Sequence, residues 1–203
     1  MFYNKTVFRL LLEKEMKKAA KEIGLRKSVL DIGSKNAPYK KLFKTEKYTA
    51  IDLEKHENVD FQMDAQNLKF KNSSFDLVIA TNVLYCVENV DKVISEAKRV
   101  LVPNGTFLAS AVFLYPFIYL DNDLNRFTPL KVKKAFKNFR EVKIIAFGGI
   151  IAVITNLIIK WIQYQKKPLR MILFPLKLLM FGLGFLSFYN EKFALGYFII
   201  AKK

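Results

Sequence analysis

Short apolar segments alternate with amphipathic segments along most of this chain. Runs of apolar and β-branched residues, typical of buried strands, lie at 28–32, 48–52, 59–63, 75–81, 106–113, 142–147 and 193–201. Apolar residues at helical spacing lie at 7–23 and at 90–101. Strands that alternate with helices in this way predict a doubly wound α/β fold, with a mostly parallel seven-stranded sheet covered by helices on both faces.

Three connections carry their own local signals. Ala37-Pro38-Tyr39 predicts the start of a short helix over 37–43, and Pro103-Asn104-Gly105 predicts a turn before the fifth strand. Thr128 followed by Pro129 predicts a helix over 129–136, because threonine is a good N-cap and proline suits the first helical position.

A hydrophobic segment, 148–190, separates the last two strands. A basic stretch at 166–170 divides it, and Pro175 and two glycines interrupt its second half. Neither half resembles a clean spanning helix, which needs about 20 apolar residues. The pattern predicts a pair of helices lying in the membrane interface, or a re-entrant hairpin. Packing of these helices on the sheet, or in an oligomer interface, remains an alternative.

Composition narrows the classes of function. The chain has 203 residues, which suits a single domain over 1–203 with an N-terminal amphipathic helical segment at 1–27. One cysteine and one histidine exclude an internal disulfide, a cysteine zinc cluster and a histidine-rich metal site, and argue against a Ser-His-Asp hydrolase.

Charge and the N-terminus bear on partners and location. The net charge of +16 suits a nucleic acid, an anionic membrane surface or an acidic substrate, although a lysine-rich solvated surface would also produce it. The apolar run at 8–12 is too short for a signal peptide and is followed at once by Glu13. We therefore expect a cytoplasmic protein, peripheral to the cytoplasmic face of a membrane.

The candidate chemistry begins at the end of the first predicted strand. Val29 to Ile32 breaks into a loop at Gly33, and nineteen residues later the second strand ends in Asp52. In nucleotide-binding βαβ units, a glycine at this turn lets the backbone approach the ligand, and the acid accepts hydrogen bonds from ribose hydroxyls. This spacing indicates a nucleotide-type cofactor.

Six segments, in order, resemble one family: the class I S-adenosylmethionine-dependent methyltransferases, of the small methyltransferase type 11 kind. The segments that carry the resemblance are 29–39, 48–52, 64–78, 96–105, 123–128 and 196–202. The resemblance implies a Rossmann-like methyltransferase fold, with the hydrophobic segment as a helical insertion before the last strand, and S-adenosyl-L-methionine as cofactor. The cofactor-binding positions that it implies are Asp31, Gly33, Ser34, Asp52, Leu53, Asp64, Ala65 and Asn82.

The resemblance also implies a role for several of these residues. Asp52 would hold the ribose hydroxyls, and Asp31 would orient the amino group of the methionine tail. Asp64 would accept a hydrogen bond from the adenine amino group, with Ala65 beside it, and Asn82 would face the same crevice. Strand-end capping for Asp31, solvation for Asp52 and helix capping for Asp64 are the structural alternatives. No catalytic residue and no metal ligand are implied.

One departure from the family pattern bears on activity. Lys35 stands where the family usually has a second glycine, which keeps open a non-catalytic scaffold that binds a partner through the apolar hairpin. The leading hypothesis is a methyltransferase that acts on a small or lipid-linked acceptor at a membrane surface. A nucleic-acid methyltransferase is disfavoured, because the segment after the fourth strand, 81–84, lacks the Asp/Asn-Pro-Pro-Tyr/Phe type of motif that holds a flipped base. The oligomeric state stays open.

Overall fold

Seven strands form one sheet in the computed structural model, which describes residues 6–117, 122–186 and 189–203. They are β1 Arg26–Ile32, β2 Thr45–Asp52, β3 Phe61–Gln62, β4 Phe75–Ala80, β5 Leu101–Val112, β6 Glu141–Phe147 and β7 Gly196–Lys202. Their order across the sheet is β3-β2-β1-β4-β5-β7-β6. Every strand pair is parallel except the two that β7 makes with β5 and β6. The predicted fold class is therefore confirmed.

The described residues contain six α-helices. They are α1 Val7–Ile23, α2 Val90–Val100, α3 Pro129–Ala135, α4 Ile150–Tyr164, α5 Lys167–Ile172 and α6 Phe174–Gly184. Buried side chains of α1 and α4 pack on one face of the sheet, and those of α2 on the other, where Val132 of α3 also lies. The caps follow local sequence: the hydroxyls of Thr6 and Thr128 accept hydrogen bonds from the third backbone N–H after each.

The predicted elements differ from the structure mainly in short connections. Instead of a helix over 37–43 there is a single 3-10 turn, Lys40–Leu42, because Ala37 has a φ of 45°, outside the right-handed helical region, and β2 begins at Thr45. The third strand, predicted over 59–63, contains only Phe61–Gln62. The last strand begins at Gly196 rather than Phe193, since Glu191–Phe193 forms a second 3-10 turn.

The predicted turn at 103–105 lies inside a strand. β5 runs continuously from Leu101, and its pairing with β4 shifts register between Phe75 and Leu77. Asn104 has a φ of 63°, so the extra residues are accommodated in a left-handed bulge. The prediction of a turn at Pro103-Asn104-Gly105 was therefore wrong, because these residues lie within β5.

The hydrophobic segment contains α4, α5 and α6, three helices where a pair or a hairpin was predicted. α4 contacts α1, and α6 packs along α4. A Cβ added at Gly184 would lie 2.7 Å from a Val7 methyl, so this glycine permits the close approach of α6 to α1. Within the described residues, no helix is both long enough and apolar enough to cross a membrane.

Candidate active site

The residues predicted to bind a cofactor follow the carboxyl ends of neighbouring parallel strands, and backbone hydrogen bonds join these ends. Ser34, after β1, donates its N–H to the carbonyl of Ile51 in β2 at 3.0 Å. Met63, after β3, donates to the carbonyl of Asp52 at 2.8 Å. Ligands of open α/β sheets bind at this edge. The sheet order therefore brings together the loops that the sequence could only place in succession.

Asp31 is a buried carboxylic acid at the end of β1, with 1% of its surface exposed. Its Oδ2 accepts a hydrogen bond of 2.7 Å from the hydroxyl of Tyr48, which lies on the same face of β2. Burial raises the pKa of Asp31 from 3.8 to about 7, partly opposed by the Tyr48 hydrogen bond and assisted by the charge of Asp52. A cationic group placed here would hold Asp31 in its charged form, which suits an ammonium ligand.

Asp52 fastens the loop after β1. Its Oδ2 accepts the backbone N–H of Lys35 at 2.9 Å, and its Oδ1 accepts that of Glu54 at 3.2 Å. A carboxylate offers about four acceptor positions, so capacity for a vicinal diol is left. Leu53, the next residue, is 65% exposed and presents an apolar side chain beside this carboxylate. The pair therefore fits a ribose and an adjoining flat base.

The loop itself needs glycine for two reasons. Gly33 has a φ of 65°, and a Cβ there would lie 2.4 Å from Cγ2 of Val83, so the close neighbour is the chain after β4. Lys35 adopts a φ of 49°, in the region that favours glycine, and its side chain is exposed. Ser34 is 3% exposed, and its Oγ has no hydrogen-bond partner in the described structure. An orphaned hydroxyl in this loop fits a polar ligand such as the methionine tail.

The last three predicted cofactor-binding residues lie in the loops after β3 and β4; they are Asp64, Ala65 and Asn82. Asp64 is exposed, and its Oδ1 accepts the backbone N–H of Gln66 at 2.8 Å in a local turn, not at a helix start. Ala65 is half-buried beside it. Asn82 has a φ of 56°, and its N–H donates to the hydroxyl of Ser110 at 2.8 Å. Asn82 therefore lies in a turn that follows β4.

Glu96 and Arg99, which belong to the family-like segments, brace the structure. Arg99 donates to the Glu96 carboxylate and to the carbonyls of Leu68 and Phe70, while Glu96 accepts the N–H of Leu68. The hydrogen bonds of Arg99 lower the pKa of Glu96. This pair ties the chain before β4 to α2 and does not reach the candidate site.

A pocket of about 350 Å³ opens between the end of the sheet, α1 and α4. Its lining residues are Thr6, Phe8, Arg9, Asn82, Tyr85, Val112, Tyr115, Lys160 and Gln163. Asn82 is common to this pocket and the predicted cofactor edge. Burial raises the pKa of Tyr115 to about 12 and also raises that of Tyr85. The pocket therefore holds neutral hydroxyls and two cations next to the place where a cofactor would lie.

The segment 122–126 packs against the loop that carries Tyr85. Arg126 contacts Asp123 through both carboxylate oxygens, one at 2.8 Å, and the Asp123 side chain is fully buried. This is a buried brace rather than a surface ion pair. The backbone N–H groups of Leu124 and Asn125 donate to the carbonyl of Tyr85, so the brace holds the loop that carries this tyrosine.

Several residues of the site were not identified from the sequence. Tyr48 was assigned only to a strand, and its partnership with Asp31 depends on strand register. Arg9 and Lys160 come from helices at opposite ends of the chain. Within the described residues, no group of histidine, cysteine, aspartate and glutamate side chains could hold a metal ion. Cys86 donates to the carbonyl of Val83 at 3.1 Å, and burial raises the pKa of its thiol, which makes it a poor nucleophile.

Known proteins resemble this chain in sequence and in fold. A methyltransferase from Archaeoglobus fulgidus described as SAM-dependent matches with a TM-score of 0.64 at 15% identity, over 96% of this chain and 94% of that one. Phosphoethanolamine N-methyltransferase 2 of Haemonchus contortus, solved with S-adenosyl-L-methionine, matches with a TM-score of 0.60 at 14% identity, over 93% of this chain and 52% of that one. These likenesses concern the fold.

A sequence relative and a family model add to this. A probable polyketide synthase 10 of Dictyostelium discoideum is 29% identical over 68 residues, which are 34% of this chain and only 3% of that protein's length. The family model described as "Methyltransferase domain" matches residues 4–109. This match covers the strands β1 to β4 and the four loops that carry the candidate site. The chain therefore belongs to the methyltransferase domain family, within the class I S-adenosylmethionine-dependent methyltransferases, and S-adenosylmethionine is the cofactor of that class.

Proposed function

We propose that this chain transfers a methyl group from S-adenosylmethionine to a small or lipid-linked acceptor at a membrane surface. The observation that carries the proposal is the double role of α4. Lys160 and Gln163 on one side of α4 line the pocket that also contains Asn82. Other side chains of the same helix form an exposed apolar face. A surface that could enter a membrane thus lies next to the candidate site.

The cofactor would supply an electrophilic methyl group, and the chain would supply its placement. Asp52 would hold the ribose, Asp31 would orient the tail, and Leu53 would contact the base. Because the transferred methyl is already activated, alignment with the acceptor and exclusion of water contribute most of the rate enhancement. The contact of Arg126 with Asp123 would help this alignment by holding the loop that carries Tyr85 in place.

The exposed face of α4 has regular helical spacing. Its members are 43–54% exposed and recur every three or four positions: Ile150, Ile154, Leu157, Trp161 and Tyr164. The opposite face of α4, including Ala152, Asn156 and Ile159, is buried. In α5, Met171 is 63% exposed and Ile172 is 74% exposed. Contiguous apolar exposure of this kind is typical of an interaction surface.

Charge favours an anionic bilayer as the occupant of this surface. Residues 142–203 contain nine basic side chains and a single acid, Glu191. Lys166, Lys167 and Arg170 lie at the junction of α4 and α5, next to the exposed apolar side chains. A basic side chain near an anionic membrane contributes about 1 kcal/mol to binding, and apolar residues then insert into the interface. This distribution supports a peripheral protein on the cytoplasmic face.

Vesicle flotation tests the membrane part of the proposal. Ile172→Glu places a charge in the apolar surface, and Leu130→Glu is a matched control, because Leu130 is 76% exposed on α3. We expect the unmodified protein to float with vesicles containing phosphatidylserine, Ile172→Glu to reduce binding about tenfold, and Leu130→Glu to leave it within twofold. Absence of flotation, or equal loss in both variants, would exclude membrane docking.

Calorimetry with S-adenosylmethionine tests the enzyme part. Asp52→Ala should abolish binding, whereas Asp76→Asn should not, since Asp76 holds Ser28 at the opposite edge of the sheet. Labelled cofactor and a membrane extract then report transfer. No binding by the unmodified protein would end the enzyme proposal. Binding without transfer to any acceptor would favour the non-catalytic scaffold.

A basic groove between α2 and α3 is the surface that could bind a nucleic acid instead of a membrane. Its lining includes Lys92, Lys98, Lys131, Lys134, Lys137 and Lys203. Single-stranded oligonucleotide is therefore added as a competitor in the flotation assay. If the oligonucleotide displaces the protein from the vesicles, a nucleic acid rather than a membrane is the partner of the basic surface.

A further inference from the structure

The pocket between α1 and α4 contains two cationic side chains and no acid among its described lining residues. Arg9 comes from the first turns of α1, and Lys160 comes from the last turns of α4. Neither makes an ion pair with a described residue. The remaining polar side chains of the lining can also donate hydrogen bonds; they are Thr6, Asn82, Tyr85, Tyr115 and Gln163. The pocket is therefore complementary to an anion.

Lys160 is held inside the pocket rather than in solvent. It is half-buried, and its Nζ lies 5.5 Å from the centre of the Tyr115 ring. Burial lowers the pKa of Lys160, and the nearby charge of Arg9 lowers it further. Two like charges that approach each other without a carboxylate between them leave an unfavourable interaction that a bound anion would remove.

A buried donor without a partner gives independent support. Nε2 of Gln163 is shielded from solvent and makes no hydrogen bond in the described structure. Gln163 lines the same pocket, one turn from Lys160 on α4. Buried polar groups are nearly always paired in native proteins. An oxyanion in the pocket would give this amide an acceptor.

The position of the pocket indicates which molecule brings the anion. Asn82 places one wall beside the cofactor edge, and the other side of α4 carries the exposed Trp161 and Tyr164. An acceptor with a phosphate in the pocket could extend an apolar part toward that surface. Arginine and lysine together are well suited to phosphate oxygens.

We propose that this pocket binds a phosphate group of the methyl acceptor, with Arg9 and Lys160 as its cationic ligands. The assignment of the bound molecule as the acceptor rests on the proposed function, whereas the binding of phosphate does not. The phosphate source is either a lipid headgroup or a soluble phosphate ester. The two sources share the same chemistry in the pocket and differ only in the apolar chain.

Binding of two phosphate probes tests the proposal without any methyl transfer. The probes are phenyl phosphate and dihexanoyl phosphatidic acid, below its micellar concentration, followed by phosphorus NMR line width. Arg9→Gln with Lys160→Gln should weaken the binding of at least one probe tenfold or more. Lys14→Gln with Lys21→Gln removes the same charge from exposed positions of α1 and should change binding less than twofold. Arg9→Lys keeps the charge and should retain an intermediate affinity.

The outcomes separate the possible sources and the two proposals. Tighter binding of the lipid probe, lost in the double variant, identifies a lipid headgroup, and equal binding of both probes identifies a soluble ester. No binding of either probe, or equal loss in the control, overturns the phosphate pocket. Calorimetry with S-adenosylmethionine on the same proteins should be unchanged within twofold. Phosphate binding without cofactor binding would defeat the proposed function and leave the pocket standing.

Discussion

The buried carboxylic acid at the end of β1 makes a specific prediction about stability and pH. Asp31→Asn keeps an oxygen that can accept the Tyr48 hydroxyl but removes the ionisable group. In the unmodified protein, burial raises the pKa of Asp31 from 3.8 to about 7. The folded state therefore holds a proton on Asp31 at pH values where the unfolded chain has lost it. Stability then falls as pH rises through this window.

The magnitude follows from those two pKa values. One pKa unit corresponds to about 1.4 kcal/mol, so ionisation of Asp31 costs the folded state about 4 kcal/mol when the pH is above 7. Roughly 3 kcal/mol of this cost develops between pH 4.5 and pH 8. Domains of this size are commonly stable by about 5–15 kcal/mol. The effect is therefore large enough to measure.

Urea unfolding followed by circular dichroism is the assay. The difference in free energy of unfolding between Asp31→Asn and the unmodified protein should grow by about 3 kcal/mol from pH 4.5 to pH 8. Other carboxylates cancel in this difference because both proteins contain them. A difference that stays constant within 1 kcal/mol over this range would refute the burial argument.

The same ionisation should appear in cofactor binding. An ammonium group at Asp31 favours the charged carboxylate, so affinity for S-adenosylmethionine should rise roughly fivefold between pH 6 and pH 7. This rise should be absent in Asp31→Asn. A rise of the same size in the variant would place the amino group of the methionine tail elsewhere.

Three further changes test the loop and the brace by urea unfolding. Gly33→Ala should lower the free energy of unfolding by about 2–5 kcal/mol, because the residue has a positive φ and an added Cβ would overlap Val83. Adding Val83→Ala should restore the part of this loss that comes from the overlap. If the losses of the two single variants simply add, the contact is contradicted. Lys35→Gly should raise the free energy of unfolding by about 0.5–1 kcal/mol, because glycine adopts a φ of 49° without strain. A lower free energy of unfolding would show that the lysine side chain makes a stabilising contact. Arg99→Ala should lower the free energy of unfolding by about 2–4 kcal/mol, because its hydrogen bonds are lost. The control Arg140→Ala, at an exposed position, should lower it by less than about 0.5 kcal/mol. Equal losses would contradict a stabilising role for Arg99.

Much of the architecture could be predicted because each element carries its own signal. The helix over 7–23 was predicted with its bounds, since its apolar spacing is long and its caps are local. The Asn-Gly signal in β5 and the loop at 37–43 were misassigned. In both places the sequence indicates a special φ value or a short helical turn. The extent of the neighbouring strand pairing decides which structure forms there.

The candidate site was predicted as positions but not as contacts. Motif spacing placed Asp31 and Asp52 at strand ends, and parallel pairing of β1 with β2 brings those ends together. The hydrogen bond from Tyr48 to Asp31 depends on the register in which β1 pairs with β2. A shift of the pairing by two residues would keep every side chain on the same face, so the apolar pattern alone does not specify that register.

The sequence by itself determined the order of the elements, and its motifs identified the methyltransferase family and the loops predicted to carry the cofactor site. The order follows from periodicity and the family from the resemblance of those motifs, and both are properties of consecutive residues. Only the tertiary structure decided the raised pKa of Asp31, the bracing role of Glu96 and Arg99, and the meeting of Arg9 with Lys160. Each of these depends on burial or on contact between distant segments, and such contacts exist only once the sheet and its covering helices have packed together.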